Sequence, residues 1–200
     1  MKLPRVYPIV DGEAWVQRLA PLGVRLLQLR IKDQPEETLR AEMRRARDSC
    51  GAAGVQLVVN DYWRLALDAG CDFVHLGQGD LDSADVPALR RAGVRLGLST
   101  HDEAELERAL SLEPDYVALG PIYPTLLKVM PWQPQGLARL SAWKRRVGTL
   151  PLVAIGGLTP ERLPGVFAAG ADVAAVVTDI LRDANPEART QRWLTVAAAA

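Results

Sequence analysis

Two cysteines and two histidines in 200 residues, with no CxxC pair, leave no complete set of zinc ligands. Cys50 and Cys71 therefore read as buried, reduced thiols. An excess of one charge is missing too: Lys and Arg total 24 and Asp and Glu total 24, so the basic stripe that nucleic acid binding uses is absent. The local cluster of Arg40, Arg44, Arg45 and Arg47 is interleaved with Glu36, Glu37, Glu42 and Asp48, the pattern of a solvated helix face. No apolar run approaches bilayer-spanning length, and the opening MKLPRVYPIV is too short an apolar stretch for a signal peptide. A soluble, cytoplasmic protein with neither nucleic acid nor membrane as partner is expected. No linker rich in Pro, Gly or Ser divides the chain, so residues 1–200 are expected to form one domain around one core.

What the chain does have is a repeating device. Gly23, Gly54, Gly70, Gly93 and Gly170 each stand just before a short apolar run, where a glycine closes one helix and a strand starts at once. Adding the runs 6–10, 116–119 and 152–155 brings the strands to about eight. Helical segments are expected over 13–22, 35–53, 62–69, 86–92, 102–111, 136–146, 160–169 and 186–198, with Thr159-Pro160-Glu161 and Thr100-His101-Asp102-Glu103 as capped starts. Strict alternation over this length predicts a single-domain α/β fold, a (β/α)8 TIM barrel, with an open doubly wound sheet as the alternative because closure is not written in sequence. A homodimer is the oligomer that apolar helix faces on a small barrel allow.

The ends of the apolar runs carry polar groups: Arg30 and Lys32 after LLQL, Asn60 and Asp61 after QLVV, His75 after DFV, Ser99 after RLGL, Gly156 and Gly157 after LVAI. Parallel barrels assemble one site from such strand ends. Gln28, Arg30 and Lys32 alternate, so an extended strand points all three to one side. Arg30, Lys32 and Lys128 can hold phosphate oxygens, and Asp61 and Asp80 on neighbouring loops offer hard oxygen ligands for magnesium (Mg2+). Gly156-Gly157, followed by Val177-Thr178 after the next strand, fits the phosphate cradle that barrels place after their seventh and eighth strands. Close strand packing is the other reading of those glycines. Gly77-Gln78-Gly79 lacks the third glycine of a dinucleotide fingerprint. The segment GPIYPTLLKVMPWQPQG, with four prolines and no helical period, is expected to be a binding loop, with Trp132 covering substrates or packing the loop.

Taken in order, Gln28-Leu-Arg-Ile-Lys32, Asn60-Asp61, Val74-His-Leu-Gly-Gln-Gly-Asp80, Gly97-Leu-Ser-Thr-His101, Gly120-Pro-Ile-Tyr-Pro-Thr125 with Lys128, and Ala154-Ile-Gly-Gly157 resemble the thiamine phosphate synthases, whose superfamily includes the thiazole tautomerases. The resemblance runs from Tyr7 to Thr178. It implies a transferase that joins hydroxymethylpyrimidine diphosphate to a thiazole phosphate, carboxylated or not, with magnesium, releasing diphosphate. By the same resemblance Gln28 meets the pyrimidine, and Arg30, Lys32, Asn60, Ser99 and Lys128 meet the diphosphate. Asp61 and Asp80 hold magnesium, and Thr125 and the Gly157 backbone face the thiazole phosphate, with His75, Val177 and Thr178 also lining the substrates. The chain departs from the family pattern at Leu127, where a second hydroxyl usually precedes the lysine. A tautomerase or a noncatalytic binding relative is the alternative. The tautomerase matches less well, because its acid-base histidine falls where Pro121 stands.

Overall fold

Short apolar runs become the strands Val6–Val10 (β1), Leu26–Leu29 (β2), Gln56–Asn60 (β3), Phe73–Leu76 (β4), Arg95–Thr100 (β5), Tyr116–Leu119 (β6), Leu152–Ile155 (β7) and Val173–Val176 (β8). Strands covered on both faces are apolar throughout, which is why they appear in sequence as unbroken runs. In the computed structural model, which describes residues 2–125 and 133–200, these strands pair in parallel and in chain order. The sheet closes, because Val6, Tyr7 and Pro8 of β1 register with Ala174, Ala175 and Val176 of β8. Closure selects the barrel over the open sheet.

The helices between strands are Ala14–Leu19 (α1), Glu36–Ala53 (α2), Trp63–Asp68 (α3), Val86–Arg91 (α4), Glu103–Ser111 (α5), Gly136–Val147 (α6), Leu163–Ala168 (α7), Thr178–Leu181 (α8) and Pro186–Ala199 (α9). The expected helices over 13–22 and 160–169 each break into an α-helix and a 3-10 turn, Ala20–Leu22 and Pro160–Arg162. Pro21 and Pro164 lie at these breaks and supply no backbone N-H for a continuous ladder. Short helix α8 was not expected, nor was the 3-10 turn Asp80–Asp82. Asp102 caps α5 as expected, accepting from Glu105 N at 2.9 Å. Thr159 makes no side-chain cap and instead hydrogen-bonds the Glu161 carboxylate. The five glycines expected to stop helices all have positive φ.

Strand alternation sorts the core into two clusters. Tyr7, Ile9, Leu26, Val58, Phe73, Tyr116, Ala118, Val153, Val173 and Ala175 fill the barrel interior. Val10, Leu27, Leu29, Val59, Leu76 and their like pack outward with Leu39, Met43, Trp143 and Trp193 of the helices. The N-terminal end of the barrel is held by Arg95, whose guanidinium lies 4.5 Å from the Phe73 ring centroid and bonds Gln56 Oε1 at 2.5 Å and Asp72 Oδ2 at 2.6 Å. That leaves the C-terminal strand ends for the site. There α8 is pinned to α9 by Asp179, which takes two bonds of 2.8 Å from Arg189 and one of 2.6 Å from Trp193 Nε1.

On α2, Arg40 pairs with Glu36, Arg45 with Glu42 and Arg47 with Asp48, so the Arg-rich stretch is the solvated face its charge pattern predicts. Cys50 and Cys71 are free and buried, and burial pushes their thiols up to about 12 and about 11, so both are protonated at neutral pH. Among the described residues, no helix is long and apolar enough to cross a membrane.

Candidate active site

Each polar residue at a strand end is there because the strand before it is apolar and short, so the chain reaches the barrel rim within one or two residues of leaving the core. Gln28 on β2 points inward and is buried, while Arg30 and Lys32 follow on the same side, exposed at the mouth. Leu27, Leu29 and Ile31 belong to the outer core, as alternation requires. At the end of β3, Asn60 is buried and Asp61 takes φ of 65°, a left-handed conformation that aspartate tolerates better than most residues. Asp61 does not cap α3, whose start makes no side-chain cap bond, and faces the mouth instead.

A cavity of about 560 Å³ opens at these strand ends. Gln28, Arg30 and Lys32 from β2, Asn60 and Asp61 from β3, and His75 and Asp80 from β4 line one side of it. Ser99, Thr125, Gly157, Val177 and Thr178, from β5 to β8, line the other. Lys128, Leu127 and Trp132 lie outside the described residues.

The charges in this mouth are close together. Lys32 Nζ forms an ion pair with Asp61 Oδ2. Asp80 Oδ2 accepts from Gly77 N at 3.1 Å. Its carboxyl is held above the usual carboxylate range, first by burial and next by the negative charge of Asp61, to which it is also hydrogen-bonded. Beside them Asn60 Nδ2 is buried and has no hydrogen-bond partner among the described residues. A buried N-H without an acceptor is costly unless a ligand supplies one.

Two adjacent carboxylates, one of them driven toward its neutral form, suit a divalent cation that would relieve their repulsion. Among the described residues no group of three or more His, Cys, Asp and Glu forms a metal cage. Two carboxylates are the complement magnesium commonly takes when substrate phosphates and water supply its other ligands.

Gly156 and Gly157 take φ of 97° and 64°. They line the cavity, and a Cβ at Gly156 would lie 2.6 Å from Pro121 Cα, one at Gly157 2.8 Å from Tyr123 Cβ. The loop after β7 thus lies directly against residues 121–124, with Tyr123 N donating to Gly156 O at 3.0 Å.

His75 is buried among hydroxyl groups. Its Nε2 is 2.8 Å from Ser99 Oγ and its Nδ1 2.7 Å from the Tyr116 hydroxyl. Burial lowers its pKa to about 4, so the ring is neutral at neutral pH.

Several site residues were not singled out from sequence. Tyr7 and Tyr116 line the cavity floor, and Gln78, whose Nε2 donates to Ser99 O at 2.7 Å, lines its wall with His101 and Glu105. Inward alternation in β1 and β6 was the available signal for the tyrosines. Their apolar rings read as core, and only closure brings the hydroxyls together.

A closed parallel barrel with one polar mouth of cations, paired acids and glycine loops at its C-terminal strand ends defines a TIM-barrel protein with a site suited to a small phosphorylated ligand. The family model described as thiamine monophosphate synthase matches residues 6–180, and the chain belongs to that family. It is 64% identical over 99% of its length to thiamine-phosphate synthase of Rhizobium etli, covering 97% of that protein. To the thiamine-phosphate synthase of Cronobacter sakazakii it is 47% identical, over 96% of this chain and 91% of the other. A solved structure of thiamine phosphate pyrophosphorylase from Pyrococcus furiosus superposes with a TM-score of 0.87, covering 98% of this chain and 96% of that one. At 22% identity that likeness speaks to the fold.

Proposed function

We propose that the protein is a thiamine phosphate synthase. It joins 4-amino-2-methyl-5-hydroxymethylpyrimidine diphosphate to a thiazole phosphate, giving thiamine phosphate and diphosphate. Full-length similarity at 64% identity to a protein named for that activity carries the proposal. The bond that breaks joins the pyrimidine methylene carbon to the diphosphate oxygen, and the bond that forms joins that carbon to the thiazole nitrogen. The aminopyrimidine ring stabilises positive charge on the carbon, so the protein's main work is to stabilise the departing anion and hold the nitrogen in line.

Arg30, Lys32, Ser99 and Lys128 meet the diphosphate in this proposal, and the unpartnered Asn60 Nδ2 gains an acceptor there. One cation about 4 Å from a unit of phosphate charge contributes roughly 4 kcal/mol at an effective dielectric near 20, before desolvation. Magnesium held by Asp61 and Asp80 would neutralise further charge on the leaving group. Gln28 meets the pyrimidine. Thr125, Gly157, Val177 and Thr178, across the cavity, take the thiazole phosphate.

The tautomerase alternative is not favoured. Pro121 lines the cavity where that reaction wants a histidine, and both nitrogens of His75 are engaged by Tyr116 and Ser99. A cytoplasmic location belongs to the proposal, since polyanionic substrates do not cross a bilayer unaided. So does pairing into a homodimer through apolar helix faces, which sedimentation velocity tests. Incubation with both substrates and magnesium, followed for thiamine phosphate and diphosphate, tests the activity. Both products are expected, and their absence at saturating substrates overturns the proposal.

A further inference from the structure

Five side chains from five strands form one unbroken hydrogen-bonded line through the barrel. Gln28 Nε2 lies 3.0 Å from the Tyr7 hydroxyl, which lies 3.1 Å from that of Tyr116. The Tyr116 hydroxyl lies 2.7 Å from His75 Nδ1, and His75 Nε2 lies 2.8 Å from Ser99 Oγ. All five line the cavity, with Gln28, Tyr7, Tyr116 and His75 buried in its floor and Ser99 partly exposed. Room for the line comes from Gly97. It registers with His75 on one side and Tyr116 on the other, and the Tyr116 ring lies across the space its Cβ would fill. The ring thereby stacks on His75 at 12° between planes.

A hydroxyl carries one hydrogen and a neutral imidazole carries one, so every hydrogen of the line finds an acceptor within it only when all run in the direction set by a donor at one end. The Gln28 amide nitrogen can only donate, so the order that gives every hydrogen an acceptor within the line runs from Gln28: Tyr7 accepts from the amide and gives its own hydrogen to Tyr116. Tyr116 then donates to His75 Nδ1. The histidine must carry its hydrogen on Nε2 and donate to Ser99 Oγ. Two consequences appear in the cavity: the Ser99 hydrogen is released to point outward, and Gln28 presents its carbonyl oxygen. The opposite order would give the Ser99 hydrogen to His75 and turn only lone pairs toward an anion.

We propose that Tyr7, Tyr116 and His75 are positioning residues that orient Gln28 as an acceptor for the amino group of the pyrimidine and Ser99 as a hydroxyl donor to the departing diphosphate. This rests on the synthase reading for the identity of the two substrate ends. The order of the line does not depend on that reading, and the closing experiment separates them.

Nitrogen-15 NMR of histidine-labelled, ligand-free protein at pH 7 reads the tautomer directly, with His75→Gln assigning the signals. The expected result is His75 with its hydrogen on Nε2. Tyr116→Phe keeps the ring and removes the hydroxyl. It should abolish the exclusive Nε2-H tautomer and raise the inhibition constant of inorganic pyrophosphate with magnesium about tenfold, the scale of one hydrogen bond to a charged group. Tyr7→Phe cuts the line next to Gln28, so it should raise KM for the pyrimidine diphosphate about tenfold on the same grounds and also loosen the Nε2-H tautomer and weaken pyrophosphate inhibition, in the same direction as Tyr116→Phe. A wild-type Nδ1-H tautomer overturns the inference, as do two variants that lose stability and turnover in parallel with the tautomer unmoved. A wild type with the expected tautomer that makes no thiamine phosphate removes the synthase reading and the substrate assignment of both ends.

Discussion

The carboxyl of Asp80 sits beside that of Asp61 at the ends of β4 and β3, and burial first, then the negative charge of Asp61, hold it above the usual carboxylate range. Ionised Asp80 is therefore disfavoured in the fold relative to the unfolded chain, so at neutral pH it lowers the stability of the metal-free protein. Asp80→Asn keeps an oxygen for the Gly77 N-H and removes the repulsion. Calorimetry without magnesium should give a higher Tm for the variant, while magnesium-dependent turnover falls roughly a hundredfold or more, the scale of losing a preorganised electrostatic partner. Unchanged turnover of the variant at limiting magnesium would rule Asp80 out as a ligand of the proposed magnesium.

His75 has the opposite effect on acid stability. Its pKa is lowered from 6.5 to about 4, so between those values the unfolded chain takes up a proton that the native ring refuses. Stability should fall as pH drops through this window, by on the order of 3 kcal/mol in total, and be fully present above pH 6.5. Denaturant unfolding at pH 7 and pH 4.5 should show this slope in the wild type and a flatter one in His75→Gln. Equal slopes would contradict it.

Gly97 and Gly51 make a matched test of where glycine is needed. A methyl at Gly97 runs into the Tyr116 ring, whereas one at Gly51, within α2, meets nothing within 4 Å. Gly97→Ala should destabilise by about 1 to 3 kcal/mol through overpacking. Gly51→Ala should stabilise by roughly 0.5 to 1 kcal/mol through helix propensity. Chemical denaturation of the two variants decides it, and a tolerated Gly97→Ala would mean that the Tyr116 ring moves freely.

Lys128 and Leu127, read from sequence, carry a further pair of expectations. Lys128→Ala should weaken pyrophosphate inhibition at least about tenfold, consistent with removal of a cation beside phosphate. Leu127→Thr should keep or modestly improve the use of thiazole phosphate, because one hydroxyl is a small part of an anion site of several cations and backbone donors. A wild type that couples nothing while Leu127→Thr gains activity would mark a changed ligand.

Much of this protein was decided locally. Strand positions follow from apolar runs buried on both faces, helix stops from glycines at positive φ, and the side of β2 that carries Gln28, Arg30 and Lys32 from simple alternation. The placement of Asp61 and Asp80 on neighbouring strand ends was legible for the same reason, since in a parallel barrel consecutive strands are neighbours. Closure was not legible, because the pairing of β1 with β8 joins residues at opposite ends of the chain and leaves no mark on either run. The breaks at Pro21 and Pro164 and the short helix α8 were also missed, where a helical pattern of apolar residues outlasts its hydrogen-bond ladder or is too brief to show a period. The line from Gln28 to Ser99 needed the tertiary structure altogether. Tyr7 and Tyr116 are apolar core by composition, and only the curvature that brings β1, β4 and β6 around one axis turns their hydroxyls toward each other and toward His75.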